Sequence, residues 1–160
     1  MTERPPNAWL KAIHYHDDGY TVSPGEDTWI SDPGRRDANG NHTKRVDGEW
    51  WGEPSWKVDD LLGLYFTGTL TVPVLARVTA PPTFAAAFVR KGSRGKEPDA
   101  GKRWPWVTQI RGVSNVTDLE SAPTVGDLGV VPALMQRRFK LKLTSEQHRR
   151  LRRAFGLSAS

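Results

Sequence analysis

The sequence predicts a small mixed α+β barrel of about five to six strands, with short flanking helices and a C-terminal helix. Three observations point there. Short apolar runs rich in β-branched and aromatic residues recur with Gly, Pro, Asn and Asp between them, which is the punctuation of strands. The pattern Thr144-Ser145-Glu146-Gln147 is a capping box opening an amphipathic segment. A length of 160 residues suits one hydrophobic core better than two, so residues 1–160 are read as a single domain.

Taken in order, Trp9-Leu10-Lys11-Ala12-Ile13 is a short apolar run bounded by polar residues and forms the opening strand. Ser23-Pro24-Gly25-Glu26 offers an N-cap residue, Pro at the first helical position and Glu closing a capping box, which predicts a short helix that includes Trp29. Residues 32–48 are rich in Gly, Asp, Asn and Arg and read as a flexible loop of the kind that covers a site. Residues 61–66 and 70–78 are apolar runs joined by Thr67-Gly68-Thr69, a β-hairpin. Alternation puts Leu70, Val72, Val74, Ala76 and Val78 on one face, and Pro73, with no N–H to donate, places its strand at an edge or in a bulge.

Pro81-Pro82-Thr83 ends that strand, and residues 84–89 predict a helical turn with Phe84 and Phe88 stacked at i and i+4. Residues 90–103 form a basic loop. Trp104-Pro105-Trp106-Val107-Thr108-Gln109-Ile110-Arg111 resumes as a strand with Trp104, Trp106, Thr108 and Ile110 on one side. Phe139, Leu141 and Leu143 alternate with Arg138, Lys140 and Lys142, giving one buried face and one basic face turned outward. The last helix places His148, Leu151 and Phe155 on one stripe and Arg149, Arg150, Arg152 and Arg153 on the rest.

Composition bounds the function. No apolar run is long enough to span a bilayer, and the N-terminal residues lack a signal-peptide core, so a cytoplasmic location is expected. With no cysteine, disulfides, thiolate catalysis and Cys-based zinc sites are excluded. The net charge of +5 is unevenly spread: Lys and Arg stand 5 against 11 Asp and Glu over residues 17–60, 6 against 2 over 90–103, and 8 against 1 over 136–160. Positive charge concentrated this way suits a polyanion, although it also serves as a solvated face.

The 7 tryptophans cluster, with Trp50, Trp51 and Trp56 in one segment and Trp104 and Trp106 in another. An indole buries a large apolar area, and its face equally suits a flat base or a cation. Each ring is therefore read two ways, as core or as stacking surface. The segment Glu49-Trp50-Trp51-Gly52-Glu53-Pro54-Ser55-Trp56 sets aromatics beside Gly and Pro, where chains turn and binding surfaces lie.

The order of these motifs resembles the PUA-like superfamily, and within it the EVE domain with its YTH and ASCH relatives, over most of the chain. Trp9-Leu10-Lys11 is similar to the family's Trp-Leu-x-Lys start, and Trp51-Gly52 to its Trp-x-Gly turn. The segment from Trp56 to Tyr65 resembles Lys-Val-Gly-Asp-apolar-Tyr, Arg77-Val78 before Pro81-Pro82-Thr83 resembles a strand closed by a Pro-rich turn, and Arg103-Trp104-Pro105-Trp106-Val107 resembles Arg-Trp-x-x-Val. Arg137-Arg138-Phe139 leading into Thr144-Ser145-Glu146-Gln147 is similar to the strand that feeds the final helix. Asp59 stands where the family has Gly, Trp51-Gly52 lacks the Val-Arg-Asn that often follows, and Lys140 replaces a common Ser.

The resemblance implies a non-enzymatic nucleic-acid-binding module, set in bacterial restriction or defence, in which aromatic side chains cage a flipped, methylated base of DNA or RNA. An effector nuclease or another protein of the same system is the implied partner. A base pays a few kcal/mol to leave its stack and recovers it between rings. Burying its methyl adds on the order of 1 kcal/mol per cage contact. Trp51 and Trp56, then Trp9 and Trp106, are the candidate cage walls, with core packing the alternative for each. Ser55 and Thr67 are candidates for the base edge. Phosphate contacts fall to Lys140 first, then Arg138, Arg137, Arg103, Arg90 and Lys91. No catalytic residue, cofactor or metal is assigned. The pair His14 and His16 beside Asp17 and Asp18 reads as solvated polar residues at a strand end. An ASCH-like ribonuclease using Lys11 or His42 as base is the second reading, and an adaptor binding protein through its Trp-rich surface the third.

Overall fold

In the computed structural model of the protein, residues 6–13, 22–32, 54–66, 69–84, 106–116, 120–137 and 140–157 are described. They form β1 (Ala8–Ile13), β2 (Asp27–Asp32), β3 (Leu61–Phe66), β4 (Thr71–Val78), β5 (Thr83–Phe84), β6 (Trp106–Asn115), α1 (Pro132–Arg137), β7 (Lys140–Lys142) and α2 (Ser145–Ala154). The strands make one mixed sheet in the order β2-β6-β4-β3-β1-β7, with β5 added on β6. The pairing of β1 with β3 is parallel, Ala8 opposite Leu61 through Ile13 opposite Phe66, and the other ladders are antiparallel. The sheet is curled into a half-barrel with few, short helices. Among the described residues no helix is long and apolar enough to cross a membrane.

Both faces of the central strands are buried, which is why β3 and β4 read as unbroken apolar runs. On the inside of the curl Trp9, Trp56, Leu62, Leu64, Phe66, Val74, Ala76, Val78, Ile30 and Ile110 form one cluster. On the outside Leu10, Leu61, Tyr65, Val72 and Leu75 pack under Val125, Leu128, Met135 and Leu151, so the segment 120–137 and α2 cap that face. The helix α2 forms as its sequence predicts. Thr144 Oγ1 accepts from Gln147 N, Gln147 Oε1 accepts from Thr144 N, and Leu151 is buried with Phe155 packed beside the core.

The hairpin of β3 and β4 is also as expected, and Pro73 lies in a bulge. Leu64 faces Val74 and Phe66 faces Thr71, so β4 carries one residue more than its partner. That extra residue breaks the single face expected for residues 70–78. Val74, Ala76 and Val78 stay inside the curl, Val72 is turned to the outer cluster, and Leu70 is an exposed turn residue with φ of 58°. Although Pro73 lies in a central strand, its carbonyl still accepts from Val116 N.

One predicted helical piece is a turn leading into a strand, and the first residue of another lies in a strand. Ser23-Pro24-Gly25-Glu26 does make half of its capping box, Ser23 N donating to Glu26 Oε2 at 2.8 Å, but the bond Glu26 N to Ser23 O closes a turn. Gly25, at φ of 82°, donates to Gly112 O while Gly112 donates to Glu26 O, and this pairing with β6 continues into β2, carrying Trp29 as a strand residue. Tertiary ladder bonds outweigh the local helix signal. Phe84, the first residue of the other predicted helical piece, belongs to β5, opposite Trp106, while residues 85–89, Phe88 included, lie outside the described residues. Asp32, expected to open a loop, is the buried last residue of β2, while residues 33–48 lie outside the described residues. The short α1 was not expected from the sequence.

Gly112 is required where the turn crosses β6. A Cβ there would lie 2.1 Å from the carbonyl oxygen of Ser23, a backbone atom that cannot move without breaking the turn. Gly112→Ala is expected to lower stability by about 2–3 kcal/mol, read as a lower urea midpoint at unchanged m. An unchanged midpoint would show that the turn is not seated on β6.

Candidate functional site

The inner face is organised from the turn Lys57-Val58-Asp59-Asp60. Asp60 N donates to Lys57 O, and Asp59 takes φ of 76°, the left-handed region that Asp tolerates and Gly fits best. The turn delivers the buried Asp60 carboxylate to the start of β1. Its Oδ1 accepts from Asn7 N at 2.9 Å, and its Oδ2 from Trp9 Nε1 and Lys57 N, both at 3.0 Å. Each oxygen is satisfied, which a buried carboxylate requires.

Held by that bond, Trp9 meets Trp56 edge to face at 5.9 Å between ring centroids. Trp56 is 2% exposed and donates its own Nε1–H to Thr108 Oγ1 of β6 at 2.9 Å. Asp60, Trp9, Trp56 and Thr108 thus tie β3 and β1 to β6 across the inside of the curl.

Beyond this tie lies a cross-strand row at the end of the half-barrel. Phe84 is opposite Trp106, Trp106 is opposite Asp32, and Lys11 is opposite Lys140. Residues directly opposite in antiparallel pairs project to the same face. The row is closed by Lys11 Nζ, 3.0 Å from Asp32 Oδ1, both side chains being fully buried. β1 and β2 share no ladder, so this ion pair spans the seam between them. Phe84 is 43% exposed and meets the buried Trp106 edge to face at 5.4 Å.

Lys140 and Lys142 therefore lie on the same sheet face as Lys11 and Trp9, at the rim of the curl, and not on an outward face. Pairing with β1 decides this, since alternation alone does not say which side of an edge strand is inner. Lys142 Nζ stands 6.0 Å from the Trp9 ring centroid. Burial pushes the Lys140 ammonium below the usual lysine range, the Lys11 charge adds to that, and Asp32 opposes it.

On α2 the charges are largely engaged. Glu146 pairs with Arg149 and Arg150, and its carboxyl is held below the usual range by hydrogen bonds from both. His148 accepts from Arg152 Nε at 2.9 Å, and burial, aided by Arg152, lowers its pKa. The exposed pair Arg111 with Asp27 fastens β6 to β2.

Of the residues singled out in the sequence, Trp9, Trp56, Trp106 and Lys140 come together on the inner face and its rim. Ser55 is exposed beside Trp56. Trp51, Thr67, Arg90, Lys91, Arg103 and Arg138 lie outside the described residues, as do His14, His16 and His42, and only the backbone of Arg137 is described. Lys11, the base of the ribonuclease reading, is 1% exposed. Among the described residues no group of His, Asp and Glu could hold a metal ion. Sequence reasoning missed Asp32, Asp60 and Phe84. For Asp32 a signal was present, because it continues the alternation of Thr28 and Ile30.

No family model and no curated protein matches the chain. Solved structures do. A hypothetical protein from Leishmania major is similar with a TM-score of 0.54 at 13% identity, over 95% of this chain and 96% of that one. An NMR structure of a Rhodopseudomonas palustris protein is similar with a TM-score of 0.52 at 14% identity, over 94% of this chain and 93% of that one. These likenesses extend over nearly the whole of each chain and concern the fold.

Thr108→Val would leave the Trp56 N–H buried without its acceptor at nearly constant volume. A loss of about 1–3 kcal/mol is expected in chemical denaturation. No loss would mean that the Trp56 to Thr108 bond does not hold the inner face.

Proposed function

We propose that this protein is a nucleic-acid-binding module of the PUA-like class, related to EVE domains, which holds a methylated base against aromatic side chains at the end of the half-barrel and is not an enzyme. The observation that carries the reading is the row at the end of the half-barrel: the exposed Phe84 ring against the buried Trp106 on one side and the half-buried Lys140 beside the buried Lys11 on the other, all on one face. Flat rings beside cations suit a base and its phosphate. Resemblance and composition supply the rest of the argument.

Within this reading the aromatic roles divide. Trp9 and Trp56 are engaged in the interior tie, with both N–H groups bonded to protein acceptors. The stacking surface is assigned to the exposed Phe84 with the buried Trp106 packed against it, and Trp51 joins them on the strength of the sequence resemblance. Backbone contacts are assigned to Lys142 and Lys140 at the rim.

The test is a binding panel of short labelled DNA and RNA oligonucleotides, with and without 5-methylcytosine, 5-hydroxymethylcytosine and N6-methyladenine, at about 50 and 200 mM salt. The expected outcome is tighter binding to one modified base and weakening with salt. Trp106→Ala should weaken binding about 5- to 100-fold, the value of one base stacked on an aromatic. Salt-insensitive binding to protein and to no oligonucleotide would replace this reading with the adaptor.

A further inference from the structure

We infer that Asp32 is the hydrogen-bond acceptor that reads the base: its carboxylate takes an amino N–H from a base admitted at the seam between β2 and β1. The site thereby selects amino-bearing bases over thymine and uracil. This rests on the base-binding reading above and names its specificity.

The contrast between the two buried aspartates carries the inference. Asp60, 4% exposed, has three N–H donors on its two oxygens. Asp32, 0% exposed, has Lys11 Nζ 3.0 Å from its Oδ1, while its Oδ2 has no hydrogen-bond partner among the described residues. A buried carboxylate oxygen left open, where the other buried aspartate is fully satisfied, calls for a partner, and a ligand amino group is one. Asp32 lies directly opposite Trp106 in the β2–β6 ladder, so the two side chains project to the same face of the sheet. The seam itself is spanned by side chains, and separating Lys11 from Asp32 breaks no ladder bond between β1 and β2.

The chemistry of the ligand follows from what a carboxylate can do. Ionised, it only accepts. Adenine, cytosine and guanine present an exocyclic amino group at the edge of the base, and the Lys11 ammonium, next to the carboxylate, can donate to the neighbouring ring nitrogen or carbonyl. The one N–H of thymine or uracil is flanked by two carbonyl oxygens that a carboxylate repels. Methylation is compatible within limits. A C5-methyl leaves the cytosine amino group intact, and N6-methyladenine keeps one N–H. N6,N6-dimethyladenine keeps none.

The experiment measures binding of the full chain to single-stranded oligonucleotides that differ at one central base: adenine, N6-methyladenine, N6,N6-dimethyladenine, cytosine, 5-methylcytosine and thymine. Adenine or cytosine, or its monomethylated form, should bind about tenfold more tightly than thymine, and dimethylation should remove the adenine advantage. Asp32→Asn, checked for folding by circular dichroism, should bring the bases within about threefold of one another while keeping the salt dependence. Should that variant not fold, the panel with the unaltered protein decides alone. Thymine or dimethyladenine bound as tightly as the amino-bearing bases, or undiminished preference in Asp32→Asn, would overturn the role of Asp32. Absence of binding to every oligonucleotide at low salt would overturn the base-binding reading itself.

Discussion

The inner face of this protein hangs from one buried carboxylate. Asp60 is supplied with N–H groups from the residue before β1, from the turn before β3 and from the Trp9 indole, so it fixes the parallel pair β1 and β3 and the orientation of Trp9 together. Trp9 positions Trp56, and Trp56 reaches Thr108 on β6. A removed N–H donor would leave a charged acceptor short of partners in a dry interior, which costs more than the bond returns when made. The curl of the sheet therefore rests on polar satisfaction as well as apolar burial.

This tie separates two uses of aromatic residues that composition cannot separate. Trp9 and Trp56 fill the interior and tie β1 to β6. At the end of the half-barrel, Phe84 packs on Trp106, Trp106 lies opposite Asp32 in the ladder, and Asp32 pairs with Lys11 through one oxygen while the other is open. Low-dielectric surroundings make such polar groups strong when a ligand pairs with them and costly while they wait.

Much of the frame was legible in the sequence, where local and tertiary preferences agree. The capping box at Thr144 to Gln147, the antiparallel pairing of β3 with β4 and the bulge at Pro73 each follow from a local rule that the packing does not oppose. Failures came where a distant partner decides. The residues 23–26 carry a helix-start signature that serves a turn because Gly112 pairs with it. Lys140 alternates as expected, but β1 determines which side it faces. The site was legible as a set of residue types and not as a place: Asp32 and Trp106 are brought together by the β2 and β6 register, which no local pattern encodes.

The central claim is that ligand engages the rim while the interior tie stays intact. Each of the 7 tryptophans contributes one indole N–H resonance, and ¹⁵N-labelled protein titrated with its preferred oligonucleotide reports them separately. The account predicts that the Trp106 signal moves or broadens while those of Trp9 and Trp56, anchored on Asp60 and Thr108, keep their positions. Movement of Trp9 and Trp56 with Trp106 unchanged would place the ligand inside the tie and contradict it.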